Sequence, residues 1–392
     1  MQRNEIINWL RETDPGRLED LWRLADLTRQ ENVGEEVHLR GLIELSNHCV
    51  RLCGYCGLRA DNRAVERYRM SDDEVLESAR QAVEFGYGTV VLQAGEDPML
   101  TRDRVAGLIR RIKAETPLAV TLSLGERSEE ELAEWRRAGA DRYLLRFETS
   151  NQKLFQRIHP PKADVPSAAK RQVDAKQQLG GTSLSEAKGV VGRETTPFAS
   201  LRDVPHARLV ILQTLCRLGY EVGSGVMIGI PGQTYDDLAD DIELFGRLDL
   251  DMVGVGPYIC HPDTPLADRR AWPDAPAGEQ VPADETMTCK VVALTRLVCP
   301  MSNIPATTAL ATLNTTHGRE LGLERGANVV MPNITPAKYR ILYEIYPGKA
   351  CLAETGRQCH ECLSARLTSL GRRPGSGRGD SLNYQKRTTT DE

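Results

Sequence analysis

The stretch His38-Leu39-Arg40-Gly41-Leu42-Ile43-Glu44-Leu45-Ser46 runs directly into Asn47-His48-Cys49-Val50-Arg51-Leu52-Cys53-Gly54-Tyr55-Cys56-Gly57. Its first half is an apolar, strand-like run; its second half is a loop with three cysteines spaced C-x3-C-x2-C and an aromatic just before the last. Three thiolates this close can ligate three irons of a [4Fe–4S] cube, and because such clusters normally take four cysteines, one iron is left open to chelate something else. A structural zinc ion would want a fourth ligand. His48 is adjacent but poorly placed to supply it, and no second C-x2-C pair lies nearby.

Outward from this loop, apolar runs alternate with helical patterns along the chain. The spacing predicts strands over 38–46, 89–94, 119–124, 142–147, 221–229, 252–259, 304–310 and 328–332. Most are apolar on successive residues, as parallel strands buried on both faces are. Ser71-x-x-Glu74 opens a helix as a capping box, with Val75, Ala79, Ala82 and Val83 on its apolar face. Eight β/α units imply an α/β fold, a complete (β/α)8 TIM-type barrel. Gly-rich and polar words follow the strands: Gly95-Glu96-Asp97-Pro98, Gly125-Glu126, Glu148-Thr149, Gly229 to Thr234 and His261 to Pro265. Chemistry gathered at strand C-terminal ends is what a site on the barrel top requires. The expected organisation is an N-terminal helical extension over 1–36, a barrel over 37–346 and a C-terminal extension over 347–392. A polar insert over 160–202 interrupts the barrel as a surface loop, and helix four resumes at Asp203-Val204-Pro205. The Arg/Gly/Ser/Thr tail from Gly371 reads as disordered.

Composition narrows the function. The 392 residues carry a net charge of −5, with no basic stripe interleaved with aromatics, which speaks against nucleic-acid binding. No apolar run approaches membrane-spanning length, and the N-terminus enters an amphipathic helix at once, so a cytoplasmic setting is expected. Ten cysteines in such a setting point to metal ligation or catalysis rather than disulfides. Cys216, Cys260, Cys289 and Cys299 are scattered singly and read as small core residues. A second set, Cys351, Cys359 and Cys362 (C-x7-C-x2-C), lies past the last barrel helix.

The cysteine loop resembles the signature of the radical S-adenosylmethionine (SAM) superfamily. In that superfamily the open iron binds the amino and carboxylate groups of SAM, and the reduced cluster cleaves it to a 5′-deoxyadenosyl radical. The words Leu92-Gln93-Ala94-Gly95-Glu96-Asp97-Pro98, Leu122-Ser123-Leu124-Gly125-Glu126, Asp141 to Arg146, Met227 to Thr234, His261 to Leu266, Asn303 to Ala309 and Gly326 to Asn333 make the chain similar to the HydE family of [FeFe]-hydrogenase maturases. That family lies beside biotin synthase and methylornithine synthase. The resemblance runs from about residue 36 to about 373, apart from the insert.

It implies a [4Fe–4S] cluster on Cys49, Cys53 and Cys56, with SAM as co-substrate. Gly95, Glu96 and Asp97 would serve the SAM amino group, Ser123 and Glu148 would face it, Arg208 would meet the carboxylate and Tyr55 the adenine. Taken singly, Arg208 is as well a solvated helix residue and Glu148 a strand-end ion-pair partner. On the substrate side the family lines an anion pocket with Thr307 and Thr308, although Thr is also simply favoured in strands. Arg40, inside strand one, is expected to hold a carboxylate or cyanide-bearing ligand at the cavity floor, since a buried Arg needs a partner. Met227 and Tyr343 are expected as wall residues, with core packing the alternative for Met227. Cys351, Cys359 and Cys362 would hold an auxiliary [2Fe–2S] or [4Fe–4S] cluster.

The implied reaction turns a small iron–cysteine complex bearing CO and cyanide into a di-iron precursor. Its implied partners are HydG as supplier, HydF as recipient, and reduced ferredoxin or flavodoxin as electron donor. Two other readings stand beside it. One is a mutase or sulfur-insertion enzyme of the methylornithine or biotin synthase type. The other is a non-catalytic iron–sulfur scaffold, which would need no SAM pocket.

Overall fold

The computed structural model describes residues 1–160, 207–272, 275–352 and 354–390. The insert and the start of helix four lie outside the described residues. Six parallel strands, β1 (Glu36–Ser46), β2 (Thr89–Ala94), β3 (Ala119–Ser123), β4 (Arg142–Leu144), β5 (Glu221–Ile228) and β6 (Met252–Pro257), pair in sequence order. β7 (Val329–Val330) pairs with β1 on its other side. Between β6 and β7 runs the segment 303–305, bridged in parallel to Met252 at one edge and to Val329 at the other. The ring therefore closes through eight parallel segments, and the barrel is complete.

The seventh segment is shorter than expected. The strand predicted over 304–310 ends after Pro305, because Thr307 N-caps a helix over Thr308–Leu313 and accepts the Leu310 N–H at 3.4 Å. β-branched threonines suit a strand, but Thr is also a favoured cap, and the cap prevails here.

Helices cover the outside. Ser71 and Glu74 form the expected capping box at the start of the helix Asp72–Glu84. At the N-terminus, helices Arg3–Arg11 and Pro15–Val33 pack on the helices Tyr235–Leu248 and Glu285–Val298. Lys290 fixes them by donating to the carbonyls of Leu10 (2.9 Å) and Glu12 (2.5 Å). A large core fills the space between strands and helices. A smaller cluster of Leu154, Ile158, Met227, Ile230, Tyr258 and Leu266 sits at the top, with Tyr55 packed on it.

The tail overturns the expectation of disorder. After the helix Gly356–Ser369, the chain forms β8 (Arg373–Pro374) beside the start of β1, then crosses the barrel floor and ends in the helix Leu382–Thr390. At the floor the carbonyl of Gly379 accepts from Arg40 (3.0 Å) and Asn303 (3.1 Å), and the carbonyl of Arg378 accepts from Thr89 and Arg142 (2.8 Å each). Arg142 also pairs with Glu221 and with Asp380, and Ser381 donates its N–H to Glu221 at 3.1 Å. The glycines that read as low complexity are required there. A Cβ on Gly379 would come within 2.7 Å of the His38 ring, and one on Gly88 would overlap the Gly377 carbonyl.

Candidate active site

The strand ends bring Cys49, Cys53 and Cys56 to the barrel top on a loop without helix or strand. Arg67 clamps the loop from outside by donating to four carbonyls, those of Asn47 (2.6 Å), Leu58 (2.9 Å), Arg59 (2.8 Å) and Asn62 (3.1 Å). From inside, Gly54 and Gly57 donate their N–H groups to Ile158 (2.8 Å) and Ile345 (3.0 Å). Gly95 brings the next loop so close that a Cβ there would lie 2.3 Å from the His48 carbonyl oxygen and 2.8 Å from Cys49 Cβ.

All three thiols are pushed up by burial, Cys56 to about 12, and each is raised further by the other thiols or by Glu96 or Glu148 nearby. Metal ligation requires thiolates, so loading this loop must release protons. Among the described residues no three His, Cys, Asp or Glu side chains converge on a single ion. A cube does not ask for that, because each thiolate takes its own iron. The loop thus suits a cluster rather than a mononuclear metal.

From Arg51 on the loop outward, charged residues alternate in sign. Arg51 pairs with Glu96 (2.6 Å) and Glu126, and Glu126 pairs in turn with Arg208 (3.0 Å). Although burial opposes it, Arg208 and Arg51 hold the Glu126 carboxyl below its usual range. Arg208 donates to the Arg146 carbonyl at 2.6 Å and lies over the Phe155 ring.

Glu148 takes a left-handed backbone conformation, φ 65°, which for a non-glycine residue is strained and at home in functional sites. Its Oε2 is buried without a hydrogen-bond partner, 3.0 Å from Arg146 Nη2 in an ion pair. Arg146 Nε is likewise buried and unpartnered. Tyr55, whose hydroxyl meets His159 Nε2 at 3.0 Å, offers an apolar face shared with Met227. Ser123 ends β3, half-buried. These residues form a cradle with an acceptor, cations and an apolar wall, which is the donor set a SAM molecule needs beside a cluster.

Asp97 departs from expectation. Its carboxylate is fully buried, held by Arg69 (2.6 and 2.9 Å), Ser46 (2.6 Å) and the Met99 N–H (2.9 Å), so it braces the loop and has no free face for a ligand. Glu96 is likewise tied to Arg51, and its carbonyl accepts the Val50 N–H of the cysteine loop at 3.1 Å.

Arg40 and the threonine pair do not converge. Arg40 touches Met252, whereas Thr307 lies against Gly256, four residues further along β6 and roughly 13 Å higher at about 3.3 Å per residue. Arg40 belongs to the floor, where its Nε and the Thr121 hydroxyl are buried without partners. Tyr343 is buried near Cys49 and Cys56, and its hydroxyl accepts from Gln93 at 3.3 Å. Arg51, Arg67, Arg146 and the buried pair Glu44–Lys349 went unassigned in the sequence. The available signal was a charged residue inside or just after an apolar run, which is costly unless partnered.

The C-terminal cysteines come together in part. Cys351, also at a left-handed φ of 65°, shares a hydrogen bond with Cys359 and receives one from Arg319 at 3.3 Å, making it the more acidic of the two thiols. Cys362, one helical turn past Cys359, is exposed and accepts from Arg366 at 3.4 Å.

Comparison with known proteins settles the family. The radical SAM superfamily matches residues 43–174. The [FeFe] hydrogenase maturase subunit HydE of Thermotoga maritima is 45% identical over 362 residues, covering 92% of this chain and 88% of that protein. The chain belongs to the HydE family. A 3-methylornithine synthase of Methanosarcina acetivorans is 25% identical over 80% of the chain and 74% of its own length. In fold, this HydE-family chain is similar to the crystal structure of methylornithine synthase, with TM-score 0.68, 22% identity and coverage of 95% and 94% of the two chains. The maturase HydG from Carboxydothermus hydrogenoformans also gives 0.68, at 17% identity, covering 100% of this chain and 79% of that one. No helix among the described residues is long and apolar enough to cross a membrane.

Proposed function

We propose that this HydE-family chain performs the radical SAM step in building the [FeFe]-hydrogenase active-site cluster. Cys49, Cys53 and Cys56 would hold a [4Fe–4S] cluster, which together with SAM supplies reductive C–S cleavage to a 5′-deoxyadenosyl radical. The chain's own part is to bind, orient and shield. Arg208 offers a guanidinium to the SAM carboxylate and Glu148 an acceptor to its ribose, while Tyr55 and Met227 keep water from the adenosyl end.

The observation that carries the reading is Glu148. A strained backbone, and a buried carboxylate oxygen that accepts no hydrogen bond and is met by the Arg146 guanidinium only as an ion pair, are costly beside the three-cysteine loop unless a ligand uses them.

The substrate proposed from the family is a small iron–cysteine complex carrying CO and cyanide, delivered by HydG. The product would pass to HydF, with reduced ferredoxin or flavodoxin supplying the electron in the cytoplasm. Arg40 and Arg146, each with a buried unpartnered Nε, and Thr307 and Thr308 are the groups here that favour an anionic ligand, at different heights in the barrel. Cys351, Cys359 and Cys362 would hold an auxiliary cluster that the SAM chemistry does not need.

Cys53→Ala, prepared anaerobically and reduced with dithionite, is expected to form no 5′-deoxyadenosine from SAM. Substantial cleavage by a sample whose cluster content has been counted would overturn this reading.

A further inference from the structure

The ten residues 342–351 form a strap from the barrel interior to Cys351, and they hold both flanks of the three-cysteine loop. Asn47, two residues before Cys49, donates from Nδ2 to the Leu342 carbonyl at 2.8 Å. Gly57, next after Cys56, donates its N–H to the Ile345 carbonyl at 3.0 Å, and a Cβ on Gly57 would lie 2.4 Å from the Glu344 carbonyl oxygen. Further on, the Ala350 N–H bonds to the Thr312 hydroxyl at 3.0 Å, and Cys351 follows.

Between these anchors stands Lys349, whose side chain is 4% exposed. Its ammonium pairs with Glu44 of β1, whose side chain is 0% exposed, lies 3.3 Å from the Tyr343 carbonyl and sits 5.0 Å from the Tyr343 ring centroid. Asn333 completes the site by donating to the second Glu44 oxygen at 2.9 Å. A fully withdrawn ion pair adds little net stability over apolar residues of the same size, so its use in a barrel wall points to placement rather than to strength.

We infer that Lys349 is a positioning residue that pins the strap to β1 and so sets the three-cysteine loop for SAM, joining the Cys351 end and that loop into one mechanical unit. The inference rests on the proposed SAM chemistry of the loop. It assigns Lys349 no contact with SAM or substrate.

The test begins with the full-length parent protein, anaerobic and reconstituted. Hydrogen exchange across 342–350 is expected to slow when SAM is added, together with exchange in the cysteine loop. Slowing confined to the loop would overturn the inference. Lys349→Met is then expected to keep its iron but to raise the KM for SAM about tenfold, with kcat per loaded cluster changed by less than about threefold, and to weaken the SAM-induced change in the cluster's EPR signal. Lys349→Arg is expected to recover part of the affinity. Should Lys349→Met fail to fold because Glu44 is left charged without its cation, the double variant Glu44→Gln/Lys349→Met decides. Parent-like SAM affinity and EPR response in a folded variant lacking the pair would refute the inference. A parent protein that neither binds nor cleaves SAM would instead refute the proposed function.

Discussion

Changing Glu221 to Gln tests whether the barrel floor is held by charge. Glu221 is buried at 1% side-chain exposure and accepts two donors, Arg142 Nε on Oε2 and the Ser381 N–H on Oε1 at 3.1 Å. A glutamine has one oxygen and one NH2, so one of those donors must meet another donor. Among the described residues, Arg142, itself 0% exposed, keeps Asp380 as its charged partner, with Arg40 as a neighbouring cation. Removing one partner of a buried pair typically costs about 3–5 kcal/mol. At roughly 2 °C per kcal/mol, the low end for a long chain, the apparent melting midpoint falls by about 6–10 °C.

The assay is thermal and urea unfolding followed by circular dichroism under argon, with hydrogen exchange on residues 376–381. Two controls bracket the result. Glu115→Gln breaks the exposed Arg80–Glu115 pair and should cost less than about 1 kcal/mol. Adding Arg142→Met to Glu221→Gln removes the stranded cation and should restore part of the loss. A Glu221→Gln protein within about 1 kcal/mol of the parent, with unchanged exchange in the tail, would refute the reasoning.

Two further outcomes are expected. Burial pushes the Asp241 carboxyl up to about 7 from its usual 3.8, so the folded chain binds that proton more tightly than the unfolded chain does. This part of the stability is therefore present when the group is protonated and is lost as pH rises from about 4 to about 7; Asp241→Asn should flatten that slope and be the more stable form at pH 8, by urea midpoints. The double variant Cys351→Ser/Cys359→Ser should lower the iron content of reconstituted protein while leaving most SAM cleavage intact, and unchanged iron would mean these thiols are not ligands.

The long apolar strands were legible because burial on both faces writes itself as runs such as Thr89-Val90-Val91-Leu92. The cysteine loop was legible because its chemistry depends on spacing along the chain. What stayed hidden was decided by partners far away in sequence. Thr307 looks the same in a strand or at a helix cap until Leu310 N–H is found above it. Asp97 looked ligand-facing until Arg69 and Ser46 closed over it. The run Gly375-Ser376-Gly377-Arg378-Gly379-Asp380 has the composition of a flexible tail. Gly375 and Gly379 are there because the His38 ring on β1 leaves no room for a Cβ, and Gly377 takes a left-handed φ of 68°. Arg142 and Arg146 stand four residues apart around β4, yet one serves the floor and the other the top.

The floor also has a consequence for how the protein is made. β1 carries Arg40 at the bottom and leads into the cysteines at the top. Its floor partner Gly379 is translated 339 residues after Arg40. Until Gly379 and its neighbours emerge, the nascent barrel has an open base, with Arg40 and Arg142 lacking acceptors that the folded chain gives them.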